Sequence, residues 1–186
     1  MLAFINNIDQ TIIFFIQDTC HSAILDKIMI ASTTLGDKGL IWIIIAGILT
    51  VNKKTRSIGL VTLAALILST IMGEGILKHV IQRPRPYADF PWVQLLVDKS
   101  TAYSFPSGHT TSSFASAFVL SKYFKKYSVI FWGMAFIIAF SRIYLFMHYP
   151  TDIVGGIILG LACGEAAYYL YEHKFKSRFP INTNLN

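Results

Sequence analysis

Residues 57–77, 127–147 and 153–171 are each a nearly unbroken apolar run, and residues 40–51 form a shorter one. A bilayer core about 30 Å thick takes about 20 apolar residues of helix, and within it every backbone polar group needs a partner from the chain itself. Runs of this length commit the chain to helices that cross a membrane. Composition agrees: 54% of the 186 residues are hydrophobic and only 14% are charged, against about 25% charged in soluble domains. Mean hydropathy is +0.53.

Residues 107–122 supply a fifth span, opening at Ser107 and carrying Phe114, Ala115, Phe118, Val119 and Leu120. A sixth is expected between Ile8 and Leu35, where Asp18, Asp26 and Lys27 interrupt the pattern and an interfacial amphipathic helix would read alike. The fold class is therefore all-α, an integral-membrane bundle, with residues 1–186 as a single domain because no Ser-, Gly- or Pro-rich linker divides them. The first basic residue is Lys27, so the start lacks the charged region of a cleavable signal peptide and is expected to be retained. Cys20 and Cys163 are expected to be plain thiols, and the polar tail 180–186 to fray.

The net charge of +6 does not point to nucleic acid, because the Lys and Arg residues fall between apolar runs instead of clustering on a solvated face. Their placement reads as topology. If the spans alternate, Lys53, Lys54, Arg56, Lys122, Lys125, Lys126, Lys174, Lys176 and Arg178 share one face, nine of the sixteen basic residues. The positive-inside rule makes that face cytoplasmic, together with both termini.

Three polar clusters then fall on the opposite, extracytoplasmic face: Lys78 with Arg85-Pro86, Pro106-Ser107-Gly108-His109, and Ser141-Arg142 with His148 and Asp152. Ionisable groups near the hydrocarbon are costly unless they pair with each other or with a ligand. Ser107 before Gly108 is a helix N-cap arrangement, and the free amides of a first turn bind anions. His148, the helix-breaking Tyr149-Pro150 and Asp152 set an imidazole and a carboxylate across a short turn, so that Nδ1 is held and Nε2 is free to attack phosphorus. Arg142 and Arg85 offer forked guanidinium geometry and Lys78 a point charge. Each cluster has a plainer reading: an ordinary helix start, a helix cap beside an interfacial histidine, and a Lys78–Glu74 ion pair four residues apart. Gly156, Gly160 and Gly164 form a small-residue stripe suited to close helix packing. The aromatic segment 87–105 reads either as an interfacial lid or as a passive connection.

Taken together, Lys78, six residues, Arg85-Pro86, then Pro106-Ser107-Gly108-His109, then Ser141-Arg142, five residues, His148, three residues, Asp152 resembles the full signature of the type 2 phosphatidic acid phosphatase superfamily. The resemblance implies a membrane-embedded six-helix core of the kind shared with vanadium haloperoxidases, and catalysis without a metal or other cofactor. By the same resemblance His148 is the nucleophile, Asp152 its orienting partner and His109 the acid for the leaving oxygen, while Lys78, Arg85, Ser107, Gly108 and Arg142 hold the phosphoryl oxygens. The implied partners are the bilayer and a lipid phosphate or diphosphate, with undecaprenyl diphosphate a common substrate among small members. Phosphatidylglycerophosphate and phosphatidate are the competing head groups. A haloperoxidase is disfavoured because those are soluble, a transporter because the charges sit at span ends, and a zinc site on His109, His148 and Asp152 because three cations stand beside it. Oligomeric state is not legible.

Overall fold

The computed structural model describes residues 2–177, the side chains of residues 2 and 3 aside, and every regular element among them is helical. The polar tail and Arg178 lie outside the described residues. In order the elements are α1 (Leu2–Thr19), α2 (Ala23–Gly36), α3 (Leu40–Val51), α4 (Arg56–Thr70), a π-helical segment (Ile71–Leu77), α5 (Lys78–Ile81), α6 (Pro86–Asp89), α7 (Gly108–Tyr123), α8 (Ser128–Tyr144) and α9 (Pro150–Leu170), the last running on into a second π segment (Tyr171–Phe175). Joined where they are continuous, they make six rods.

Four rods are long and apolar enough to cross a membrane: Ala23–Val51, Arg56–Asp89, Lys125–Tyr144 and Pro150–Phe175. The first corrects the sequence reading. The short run 40–51 and the second half of the 8–35 region are one rod, broken at Lys38 and Gly39, whose φ angles of 51° and 73° are left-handed. The reason is length: the 12 residues of α3 reach only about 18 Å at 1.5 Å per residue, and α2 supplies the rest.

The fifth rod, α7, is the axis of the bundle, packed against α9, α8 and α4. Its run of buried small and hydroxylic residues, Thr110 to Ala117 with Phe114 the exception, makes sense there. Neighbouring helices and not lipid surround it, and small side chains let their backbones approach. On α9, a Cβ at Gly156, Gly160 or Gly164 would stand 2.9, 2.6 or 2.8 Å from the carbonyl oxygen of Ser107, Thr111 or Ala115. The stripe is therefore an intramolecular contact between α7 and α9. Trp42 of α3 donates from Nε1 to Ser113 Oγ (2.9 Å) and ties the bent rod to the same axis.

The sixth rod, α1, does not run alongside the others. Its residues 9 to 20 meet the chain around 83–90 and 144–151: Asp9 bonds Thr151 and Arg83, Phe14 packs edge-on or tilted against Phe90 and Phe146, and the Cys20 carbonyl accepts from the Tyr144 hydroxyl. One face (Asp9, Ile13, Ile16) is buried, a second (Phe4, Ile8, Ile12, Phe15) is exposed and apolar, and a third (Asn7, Thr11, Asp18) is exposed and polar. This three-way division suits a helix lying along a membrane surface. It packs over the end of the bundle that carries the polar clusters, whereas Tyr123, Glu172 and Lys176 gather at the other end. Asp9 finds its counter-charge, Arg83, at the cluster end, and this pairing holds α1 there.

Candidate active site

The three clusters meet at one end of the bundle around a cavity of about 1160 Å³. Lys78, Arg85, Gly108, His109, Arg142 and His148 all line it. Ser107 and Asp152 are fully buried behind that wall. Lower down the lining turns apolar, through Ile43, Leu63, Leu66, Ile67 and Ile71 of α3, α4 and the π segment. Leu96, Val97, Ser100 and Ala102 border it from the aromatic connection, which Tyr87 anchors by donating to the Ser100 carbonyl (2.6 Å).

His148 follows the end of α8 in a compact turn in which the Arg142 carbonyl accepts from the amides of both Met147 (3.0 Å) and His148 (3.1 Å). The ring is 1% exposed, which disposes of the interfacial alternative. Arg85 donates from Nη1 to Nε2 (3.2 Å), an arrangement that assigns the ring proton to Nδ1. Nδ1 faces Ser104 Oγ at 3.3 Å and Asp152 Oδ2 at 3.6 Å, and Ser104 in turn donates to Asp152 Oδ2 (2.5 Å). Ser104 thus stands between the imidazole and the carboxylate expected to orient it. Burial, followed by the charges of Arg85, Arg142 and Lys78, holds the His148 pKa well below the ordinary histidine value, so the ring is a neutral base at neutral pH.

Asp152 caps α9 and pairs with Arg83. Its Oδ2 accepts from the Tyr149 amide (2.9 Å) at the start of α9, and its Oδ1 accepts from Arg83 Nη1 (2.7 Å). Ser107 is the N-cap of α7: Oγ accepts from the hydroxyl and amide of Thr110 (3.0 and 3.5 Å), and the Ser107 amide donates to the Asp152 carbonyl (3.1 Å). The Ser107 side chain therefore serves the helix start, leaving Gly108 and His109 as the exposed wall. A Cβ at Gly108 would collide with the Glu74 carboxylate, which also pairs with Lys78 Nζ (2.8 Å). The Lys78–Glu74 pair foreseen as the plainer reading is present, and it lies inside the cavity.

His109 lies over Gly36, where a Cβ would meet its ring at 2.8 Å. Its Nε2 is 2.8 Å from Asp37 Oδ1 and 3.2 Å from the Thr33 carbonyl. Arg142 donates from Nη1 to the Thr33 hydroxyl, and its buried Nε has no hydrogen-bond partner among the described residues. Arg85 donates to the carbonyls of Ala102 (2.7 Å), Met147 (3.2 Å) and Tyr103 (3.3 Å). Among the described residues neither guanidinium has a carboxylate within ion-pair distance. Two buried guanidiniums without a carboxylate partner among the described residues, lining one cavity with a neutral imidazole that Arg85 touches, form a site for an anion.

Sequence reasoning missed Ser104, Asp37, Thr33, Asp9 and Arg83. Arg83 bridges Asp9 and Asp152 (2.7 Å each) and stacks on the Tyr149 ring at 4.2 Å. No spacing rule ties any of these residues to the clusters.

A helical membrane bundle with an anion-binding cavity at one end is thus the class of molecule that fold and site define. The family model of the PAP2 superfamily matches residues 59–176, and the chain belongs to that superfamily. It is 30% identical over 139 residues to the undecaprenyl-diphosphatase of Sulfolobus acidocaldarius, covering 74% of this chain and 66% of that one. The chain spans 55 to 66% of the length of the first three curated relatives that it matches. Among solved structures, Aquifex aeolicus LpxE superposes with a TM-score of 0.76 at 27% identity, covering 86% of this chain and 94% of that one. A PAP2-type phosphatidylglycerolphosphate phosphatase from Bacillus subtilis gives 0.73 at 27% identity, covering 91% and 88%.

Proposed function

We propose that the protein is a membrane lipid phosphatase that hydrolyses a terminal phosphate through a phosphohistidine. The observation that carries this reading is the pair of buried guanidiniums, Arg85 and Arg142, without carboxylate partners among the described residues, in one cavity with His148, whose Nε2 Arg85 touches, and with an apolar lower wall. Phosphoryl transfer needs chiefly positioning and charge stabilisation, and these cations with Lys78 and the first amides of α7 supply both. The His148 Nε2 lone pair forms the N–P bond as the P–O bond to the leaving group breaks, and the leaving oxygen takes its proton from His109. Water then attacks phosphorus, the P–N bond breaks, the proton of water returns to His109, and phosphate departs. Glu74 gives up Lys78 when the phosphate arrives.

The eight described basic residues of the opposite end support a cytoplasmic position for that end by the positive-inside rule, with the cavity and α1 facing outward. An outward site suits a carrier lipid recycled after export, and the relative from Sulfolobus acidocaldarius is named for undecaprenyl diphosphate. That lipid is the substrate proposed, ahead of phosphatidylglycerophosphate and phosphatidate. The test is phosphate release by purified protein in detergent from all three lipids, with chelator present. Undecaprenyl diphosphate is expected to be cleaved fastest and His148→Ala to be inactive. Equal cleavage of phosphatidate overturns the substrate, activity lost to chelator overturns the metal-free chemistry, and an active His148→Ala overturns the nucleophile.

A further inference from the structure

Asp9 is the odd member of α1. It is 0% exposed in a helix otherwise divided between lipid-like, watery and packed faces, and its carboxylate is fully engaged. Oδ1 accepts from the Thr151 amide (2.9 Å), while Oδ2 accepts from the Thr151 hydroxyl and from Arg83 Nη2 (2.7 Å). Arg83 reaches on with Nη1 to Asp152 Oδ1 (2.7 Å) and to Thr151 Oγ1 (2.7 Å). Asp152 and Ser104 then face the Nδ1 side of His148. An unbroken chain of polar contacts therefore runs from the surface helix to the back of the imidazole.

The charges along it decide what it does. One guanidinium stands between two carboxylates, and all three groups are buried or nearly so. Were Asp9 absent, the whole positive charge of Arg83 would fall on Asp152, swinging the carboxylate toward the guanidinium and weakening its field at the imidazole. That field matters most when His148 becomes positive on attacking phosphorus. The Asp9 contact with the Thr151 amide also fixes the first turn of α9, two residues from the Tyr149 amide that Asp152 caps.

We propose that Asp9 is a positioning residue for His148, acting through Arg83 and Asp152, and that the surface helix α1 is in this way part of the catalytic assembly. The proposal rests on His148 being the nucleophile. It differs from a packing role in what it predicts: Asp9 changes turnover, while substrate binding, made by Lys78, Arg85 and Arg142, stays as it was.

The test uses the full chain in detergent with undecaprenyl diphosphate, and compares Asp9→Asn, Arg83→Gln and the double variant for kcat, KM and thermal unfolding. Asp9→Asn is expected to lower kcat about tenfold, the size commonly lost when the partner behind a reacting or ligating group is removed, with KM within about twofold. In the Arg83→Gln background the same change is expected to cost less than about twofold more, because its route to Asp152 is already cut. A kcat within about twofold of the parent, or losses that multiply in the double variant, overturns the proposal. If Asp9→Asn does not fold, Arg83→Lys decides: it keeps the charge but cannot fork to both carboxylates, and an unchanged kcat overturns the proposal. His148→Asn separates the two levels. An active His148→Asn removes the nucleophile on which the proposal rests, whereas an inactive one beside a fully active Asp9→Asn removes the positioning role alone.

Discussion

Replacing each glycine of the α9 stripe by alanine should separate stability from turnover. At Gly160 the new Cβ would lie 2.6 Å from the Thr111 carbonyl oxygen and 3.1 Å from the Ala115 amide nitrogen. Both are backbone atoms, so no rotamer relieves the contact. Ordinary carbon–oxygen contacts are about 3.3 Å or longer, so α7 and α9 must part by roughly 0.7 Å at Gly160. The same subtraction gives roughly 0.4 Å at Gly156 and roughly 0.5 Å at Gly164. Overpacking of this kind costs about 1–3 kcal/mol, partly offset by the gain of up to about 1 kcal/mol from alanine in a helix. The three variants should therefore melt within a few degrees of one another, below the parent. Turnover should not follow the melting points. Gly156 is one turn from Asp152 and touches Ser107 and Thr110, at the start of the helix that bears His109. Gly164 lies about 18 Å farther along α9 than Asp152 at 1.5 Å per residue. A misplacement of about 1 Å can cost about a hundredfold in rate, so Gly156→Ala should lose about tenfold in kcat and Gly164→Ala less than about twofold. Gly133→Ala, with nothing within 4 Å of the new Cβ, is the control. Thermal unfolding in detergent alongside steady-state kinetics measures both quantities. Equal loss of kcat at Gly156 and Gly164, or none at Gly156, would refute the argument that the stripe sets the spacing of the two halves of the site.

Two further outcomes are expected. Because burial and three neighbouring cations hold the His148 pKa well below 6.5, its imidazole gains a proton only on the far acid side; an NMR titration of histidine-labelled protein, assigned with His148→Asn, should find that midpoint well under 6.5, and a midpoint at or above 6.5 contradicts the electrostatics. Asp37→Asn takes the anion from beside His109, so kcat on phosphatidate, whose leaving alkoxide needs a proton, should fall about tenfold, while p-nitrophenyl phosphate, whose leaving group needs none, should be cleaved as before; equal losses on both would show that Asp37 acts elsewhere than on the acid.

How much of this was legible depended on whether the chemistry was local in the chain. The start of α7 was readable because Ser107 caps its own helix, and the turn from Arg142 to Asp152 because a proline forces the break between two apolar runs. Lys78, Arg85, His109 and His148 could be gathered on one face by counting spans, and the cavity does bring them together. The bent rod could not be read, since Lys38 adopts a left-handed conformation that its side chain does not favour and that neighbouring packing imposes. Nor could Asp9, whose partners Arg83 and Thr151 are 74 and 142 residues away. A single acidic residue in a surface helix looks alike whether it meets water or a guanidinium. Ser104 was overlooked for a third reason: serines are common, and only the fold sets this one between an imidazole and a carboxylate.

The cavity grades from cationic at its top to aliphatic at its base, along Ile43, Leu63, Ile67 and Ile71. An amphiphile meeting it finds the polarity gradient of the bilayer surface reproduced in protein, so a greasy tail can keep hydrocarbon company while its head group turns inward. A water-soluble ester of the same phosphate would find only the upper half of that gradient complementary, and would have to leave the lower half wet.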